Sequence, residues 1–194
     1  RDGQVIDTVG GLDDIAVRRV RFVGDPHARV AEDYLRILRF FRFYAWYGDP
    51  REGIDAEGLA AVAAGADGLT RLAAERIGYE MIRLLAAQDP APSLASMART
   101  GILARVLPGS SVDPVTRLVH FEGGAPADPI RRVAALGGEA PEKRFRLSRQ
   151  QSKRLSFLKT TMASSVRLSE IAWRESAEAA WEVAWLRSAL FETA

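Results

Sequence analysis

Charged side chains punctuate one largely apolar stretch of this chain. Between Val20 and Phe43 the sequence reads VRFVGDPHARVAEDYLRILRFFRF, and Glu32, Asp33, Arg36, Arg39 and Arg42 recur at helical spacing. Residues three or four apart share one face of a helix. Asp33 and Arg36 would thus set a carboxylate acceptor beside a rigid fork of guanidinium donors. Such a pair complements the base edge that cytosine and adenine have in common, an exocyclic amine beside a ring nitrogen acceptor. Uracil and guanine present the reverse, a carbonyl beside a ring N–H. Glu32, four residues before Arg36, is placed to hold that guanidinium by a salt bridge, a supporting role. The competing reading is a solvated surface pair, worth about 0.2–0.5 kcal/mol and requiring no ligand.

Positioning these side chains requires a rigid helix. Gly24-Asp25-Pro26 reads as a turn with proline in the first helical turn. One helix is expected from there to about Tyr47, stopped by Gly48-Asp49-Pro50, with Val30, Tyr34, Leu38, Phe41 and Ala45 as its buried stripe. A short helix follows from an Asp55 cap to Ala64, closing at Gly65. Thr70 is the expected N-cap of a helix over 71–87, with Ala73, Ile77, Met81, Leu84 and Leu85 facing inward. After Asp89-Pro90-Ala91-Pro92, helices are expected over Ser93–Thr100, Pro114–Phe121, Pro129–Leu136 and Ser148–Thr161, with Leu103–Pro108 leading into a loop. A long final helix is expected over Leu168–Phe191. Its Trp173, Trp181 and Trp185 stand at core spacing, base stacking being the alternative. Only Gln4-Val5-Ile6 suggests a strand. The expected fold class is all-α, two consecutive helical clusters meeting near residues 88–92.

The residues from Val20 to Phe43 resemble the neck motif of class II CCA-adding enzymes (tRNA nucleotidyltransferases) and of bacterial poly(A) polymerases. The family's Glu-Asp-x-x-Arg stands as Glu32, Asp33, Tyr34, Leu35, Arg36, and its Arg-x-x-Arg-Phe as Arg39, Phe40, Phe41, Arg42, Phe43. Upstream, Ile6-Asp7-Thr8-Val9-Gly10-Gly11-Leu12-Asp13-Asp14-Ile15 is similar to the segment joining head to neck, with Thr8 in place of the usual Pro and Ile15 of Leu. Glu75-Arg76-Ile77 and Glu80 resemble a second neck helix. The resemblance covers about residues 1–88.

That resemblance implies a connection at 1–11, a base-reading neck at 12–88 and a helical, RNA-binding body at 93–194. Asp33 and Arg36 would read the base. Arg39 and Arg42 would either reach a triphosphate or the tRNA backbone or pair with Asp13, Asp14 or Glu75. The helix carrying Glu75, Arg76 and Glu80 would pack behind the base-reading helix, and Asp7 and Asp14 would serve a hinge or caps. The whole enzyme would transfer CMP and AMP from CTP and ATP to the tRNA 3′ end. A poly(A) polymerase and a non-catalytic helical RNA-binding module are the alternatives. The family's Gly-Ser and Asp-x-Asp head elements do not occur, and Arg1 stands in mid-motif without an initiator Met. The expectation is a neck and body without the head that would hold Mg2+, inactive alone.

Composition narrows the classes. The chain has 194 residues, no cysteine and only His27 and His120 as imidazoles, both read as ordinary surface residues, so thiolate metal sites and disulfides are excluded. No run is long and apolar enough for a membrane span, and a cytoplasmic protein is expected. The net charge of +2 is small, but it is unevenly placed. From Glu142 to Arg174 nine basic residues stand against two acids. Within that section Lys153 and Arg154 are candidate RNA-phosphate contacts, a solvated helix face being the alternative.

Overall fold

The computed structural model describes residues 5–191. Among them are thirteen α-helices and one 3-10 turn, with no β-sheet. Helices α1 (Gly11–Ala16), α2 (Pro26–Glu32), α3 (Leu35–Tyr47), α4 (Ala56–Ala64) and α5 (Ala74–Leu85) form the first half, the 3-10 turn Ala66–Arg71 lying between α4 and α5. Helices α6 (Ala91–Arg99), α7 (Ile102–Val106), α8 (Asp113–Glu122) and α9 (Pro129–Leu136) follow. The chain continues through α10 (Pro141–Arg144), α11 (Arg149–Met162), α12 (Leu168–Arg174) and α13 (Ala177–Phe191). Of the suggested strand, Gln4 lies outside the described residues, and Val5 and Ile6 are not in a strand.

Local chemistry explains most of these boundaries. Asp55 caps α4 by accepting from the Gly58 N–H at 2.7 Å. Asp128 caps α9 by accepting from Ile130 and Arg131, both at 2.9 Å. Ser148 opens α11 with a full capping box to Gln151. Asp7 accepts from the N–H groups of Val9, Gly11 and Leu12, and these three bonds, that of Leu12 foremost, hold its carboxyl below the usual range.

Three boundaries depart from the sequence expectation. The neck helix is two helices: Asp33 is extended (φ −155°, ψ 108°) and divides α2 from α3. Its Oδ1 accepts from the Leu35 N–H and its carbonyl from the Arg36 N–H, both at 3.0 Å, so a local cap competes successfully with helix continuation. Thr70 is not the cap of α5. It lies in the 3-10 turn, its hydroxyl donating to the Asp67 carbonyl, and α5 starts at Ala74. The final helix is also broken, between α12 and α13, where the Ser176 hydroxyl accepts from the Ala179 N–H. As a result Trp173 is 85% exposed and Trp181 largely exposed, so these two rings are not core residues. Trp185 is half-buried beneath the Arg131 guanidinium.

α3 is buried on most of its circumference, with Ile37, Leu38 and Phe41 fully enclosed. It packs chiefly on α5, where Met81, Leu84 and Leu85 are likewise enclosed. Asp33 meets Arg76, Arg39 and Arg42 meet Glu80, and Trp46 meets Arg83, so α3 and α5 run parallel. Arg18 donates to the Tyr47 and Gly48 carbonyls, tying the segment after α1 to the end of α3. The two expected clusters share one continuous core across residues 88–92. There Arg132 is buried, donating to the Leu85, Ala87 and Gln88 carbonyls after α5 and to Glu122 of α8.

Candidate nucleotide-recognition site

The site is built where α2 hands over to α3, with α5 alongside. Because Asp33 is extended, it does not share a helical face with Arg36 as the spacing implied. Asp33 pairs with Arg76 of α5 at 2.9 Å. Arg36 pairs with Glu32 at 2.5 Å and donates to the Arg29 carbonyl at 2.8 Å. The supporting salt bridge expected of Glu32 is therefore present, with Arg29 as its second partner at 2.6 Å. Arg36, first, and then the charges of Arg29 and Arg36 hold the Glu32 carboxyl below its usual range. Partial burial pushes Asp33 upward, but the Leu35 N–H and the Arg76 and Arg39 guanidiniums outweigh it, leaving its carboxyl below the ordinary value.

Hydrogen-bonding capacity remains on both groups. A carboxylate has about four lone-pair sites, and Asp33 uses them for one backbone N–H and Arg76. Arg36 uses only Nη1, so its Nε and Nη2 have no partner among the described residues. What is left is an acceptor on Asp33 and donors on Arg36, each fixed by a neighbour.

Arg39 and Arg42 do not pair with Asp13, Asp14 or Glu75. Both converge on Glu80, whose carboxylate is buried, at 3.2 and 2.5 Å. Asp14 pairs instead with Arg21 at 2.6 Å, and Glu75 with Arg146 at 2.7 Å. Arg39 remains 47% exposed and engages only Nε, which leaves its terminal nitrogens for an anion. Arg42 departs from the expectation of a nucleotide contact. Its side chain is 9% exposed, stacked on Phe43 at 4.3 Å, and serves to anchor α3 on α5. Sequence reasoning gave Glu80 and Arg76 a packing role and missed their direct grip on the site. The available signal was two arginines on an apolar helix, which need a buried anion.

The basic section divides as well. Arg154 does not project as a free phosphate contact. It bridges Asp128 at 2.5 Å and Glu182, joining α11 to the start of α9 and to α13. Lys153 is exposed and forms no ion pair among the described residues. No group of three His, Asp or Glu side chains suited to a metal ion occurs among the described residues.

Several known proteins are similar to this chain. Residues 53–112 match the family described as the probable RNA and SrmB-binding site of polymerase A. The human mitochondrial CCA tRNA nucleotidyltransferase 1 is 36% identical over 137 residues, 62% of this chain and 32% of that protein. The CCA-adding enzyme of Levilactobacillus brevis is 40% identical over 101 residues, 52% of this chain and 25% of that enzyme. The chain is similar to members of the class II CCA-adding enzyme and poly(A) polymerase family. The alignments to these curated family members take in no more than about a third of their length. In fold, the chain superposes on a Thermotoga maritima CCA-adding enzyme complexed with tRNA with a TM-score of 0.64 at 16% identity, covering 94% of this chain and 50% of that one. A CCA-adding enzyme with ATP gives 0.62 at 16% identity, covering 95% and 52%.

Proposed function

We propose that this chain is the base-selecting and RNA-holding part of a nucleotidyltransferase that adds C, C and A to tRNA 3′ ends from CTP and ATP. The observation that carries the reading is that Asp33 keeps acceptor capacity and Arg36, three residues on, keeps donors, each held by a different neighbour. Cytosine and adenine satisfy both. Uracil or guanine would leave polar groups unpaired in a partly desolvated site, which is how a protein rejects a near-isosteric base. Arg39, exposed beside this pair, would meet the triphosphate. In this reading residues 12–88 are the neck that selects the nucleotide, and 93–194 are the body that holds RNA. Support comes from the family match over 53–112 and from the relatives, named as CCA-adding enzymes.

The acceptor is tRNA and the donors are ATP and CTP. The two metal-holding carboxylates that activate the 3′-hydroxyl would come from a head outside these 194 residues, so this chain alone would be inactive. A cytoplasmic location is the companion proposal. No described helix is long and apolar enough to cross a membrane. A second reading, poly(A) addition, is favoured by the description of the matched family as part of polymerase A. The deciding experiment incubates the complete parent protein with tRNA lacking its CCA end and with each nucleoside triphosphate in turn. Ordered incorporation of C, C and A supports the first reading. A run of A on varied primers supports the second, and no incorporation leaves an RNA-binding module.

A further inference from the structure

Aromatic rings lie exposed on the outer face of the α3–α5 pair, where the site above does not use them. On α3, Arg39, Phe43, Trp46 and Tyr47 are exposed at steps of four, three and one. On the parallel helix α5, Arg76, Tyr79 and Arg83 are exposed at steps of three and four. The rings and guanidiniums interleave across the seam. Phe43 lies against Tyr47, with ring centroids 5.9 Å apart, and against Arg42. Arg83 sits 5.2 Å from the Tyr79 ring and donates to its hydroxyl at 2.6 Å, while the Trp46 indole donates to the Arg83 carbonyl at 2.7 Å. Tyr79 itself is 58% exposed, a large ring surface for a residue on a packed helix.

The charge on this surface is one-sided. Glu32 is shared by Arg29 and Arg36, Glu80 by Arg39 and Arg42, and Asp33 pairs with Arg76. Arg83 has no carboxylate partner among the described residues. Across this surface and the layer just beneath it, where Arg42 and Glu80 are buried, six guanidiniums meet three carboxylates, an excess of three positive charges. Alternating rings and arginines in excess of their carboxylates form the surface that accepts unpaired nucleotides, because rings stack on bases of any identity and guanidiniums meet the phosphates between them. An apolar protein partner would leave those guanidiniums desolvated, and a lipid surface would leave the rings' spacing without purpose.

We propose that the exposed face carrying Phe43, Tyr47 and Tyr79 between Arg39, Arg76 and Arg83 is a stacking platform for the unpaired 3′-terminal nucleotides of the RNA acceptor. The proposal rests on the function above and extends it. The face begins beside Asp33 and Arg36 and runs away from them along both helices. An acceptor end stacked here is delivered to the base-reading pair without being read itself. Phe43, Tyr47 and Tyr79 are accordingly positioning residues for the acceptor.

The test uses the complete parent protein carrying Phe43→Leu and Tyr79→Ala together, with Phe43→Tyr and Tyr79→Phe as ring-retaining controls. Two readouts are taken. One is KM for an acceptor RNA with unpaired 3′ nucleotides, with selectivity among the four triphosphates measured alongside. The other is equilibrium binding of a short single-stranded oligonucleotide, which needs no catalysis. Loss of each stacked ring should weaken acceptor binding by roughly tenfold, while triphosphate selectivity stays unchanged and the ring-retaining controls behave as wild type. An unchanged acceptor KM and unchanged oligonucleotide affinity would overturn the platform. So would altered triphosphate selectivity at a constant acceptor KM, since the rings would then serve the incoming nucleotide. A lowered melting temperature with acceptor affinity intact would assign the face to another part of the protein and likewise overturn the proposal. Should the wild-type enzyme transfer nothing yet bind the oligonucleotide in a ring-dependent way, the transferase reading fails and the platform stands.

Discussion

In the proposed reading, selection at this site would depend on hydrogen-bond capacity that neighbouring residues leave unused. Asp33 is fixed by Leu35 and Arg76 and Arg36 by Glu32 and Arg29, so neither has to reorganise to meet a base. Removing either side chain from the complete enzyme deletes a charge-assisted bond of about 1.5–3 kcal/mol. Asp33→Ala and Arg36→Ala should therefore raise incorporation of U or G by roughly tenfold or more, measured by competing triphosphates in single turnover. Unaltered selectivity in both variants would refute base reading by this pair. Single substitutions also separate the two candidate phosphate contacts. Lys153→Ala should flatten the salt dependence of tRNA binding by about one unit of slope. Arg154→Met should leave that slope alone and lower stability instead, because Arg154 holds Asp128 and Glu182. Burial pushes the Asp128 carboxyl up, but the Arg131 N–H and the Arg154 guanidinium prevail and hold it below the usual value. A depressed carboxylate stabilises the fold above its unfolded pKa and loses that contribution as pH falls through the folded value. Denaturant titrations below about pH 4 should thus show a shallower acid loss in Arg154→Met than in wild type.

At the scale of elements, the parallel packing of α3 on α5 sets the contacts of Asp33 with Arg76 and of Arg39 and Arg42 with Glu80, and a glycine governs how α5 is held from behind. A Cβ on Gly78 would lie 2.0 Å from the Phe145 carbonyl oxygen, a backbone atom that cannot rotate away. Gly78→Ala should force α5 and the segment after α10 apart and cost about 1–3 kcal/mol, read as a lowered melting temperature. A melting temperature equal to wild type would show that this approach is not tight. Such contacts explain what the sequence could and could not reveal. The start of α4 was legible because Asp55 caps by reaching only three residues ahead, and Asp128 and Ser148 act over the same short range at α9 and α11. The all-α class followed from apolar periodicity for the same local reason. Asp33 hid its break inside an unbroken apolar stripe, where a cap and a helical residue look alike. Glu80 was illegible as the anchor of Arg39 and Arg42 because it lies 41 and 38 residues away. Spacing alone also misplaced Trp173 and Trp181, since the break at Ser176 turns α13 independently of α12.

On the scale of the molecule, one buried network fastens the first half of the chain to the basic half. Glu122 receives both Arg131 and Arg132 at 2.7 Å, and Arg131 continues to Glu182, which Arg154 also engages. Arg132 is the member that crosses the junction, since its donors satisfy the carbonyls at the end of α5 that the helix itself leaves open. A charge this deep is tolerable only while fully paired. Arg132→Met preserves most of the volume but strands those carbonyls and leaves Glu122 with a single partner. The expected cost is about 3–5 kcal/mol, and it falls on the junction rather than on either half. Wild-type protein should unfold in urea as one transition, with Trp46 reporting on the first half and Trp185 on the second at the same midpoint. In Arg132→Met the two probes should separate, because each half keeps its own apolar contacts while the link between them is lost. Single-tryptophan variants make the comparison direct. Coincident midpoints shifted together would show instead that the shared apolar core, and not the arginine, couples the halves.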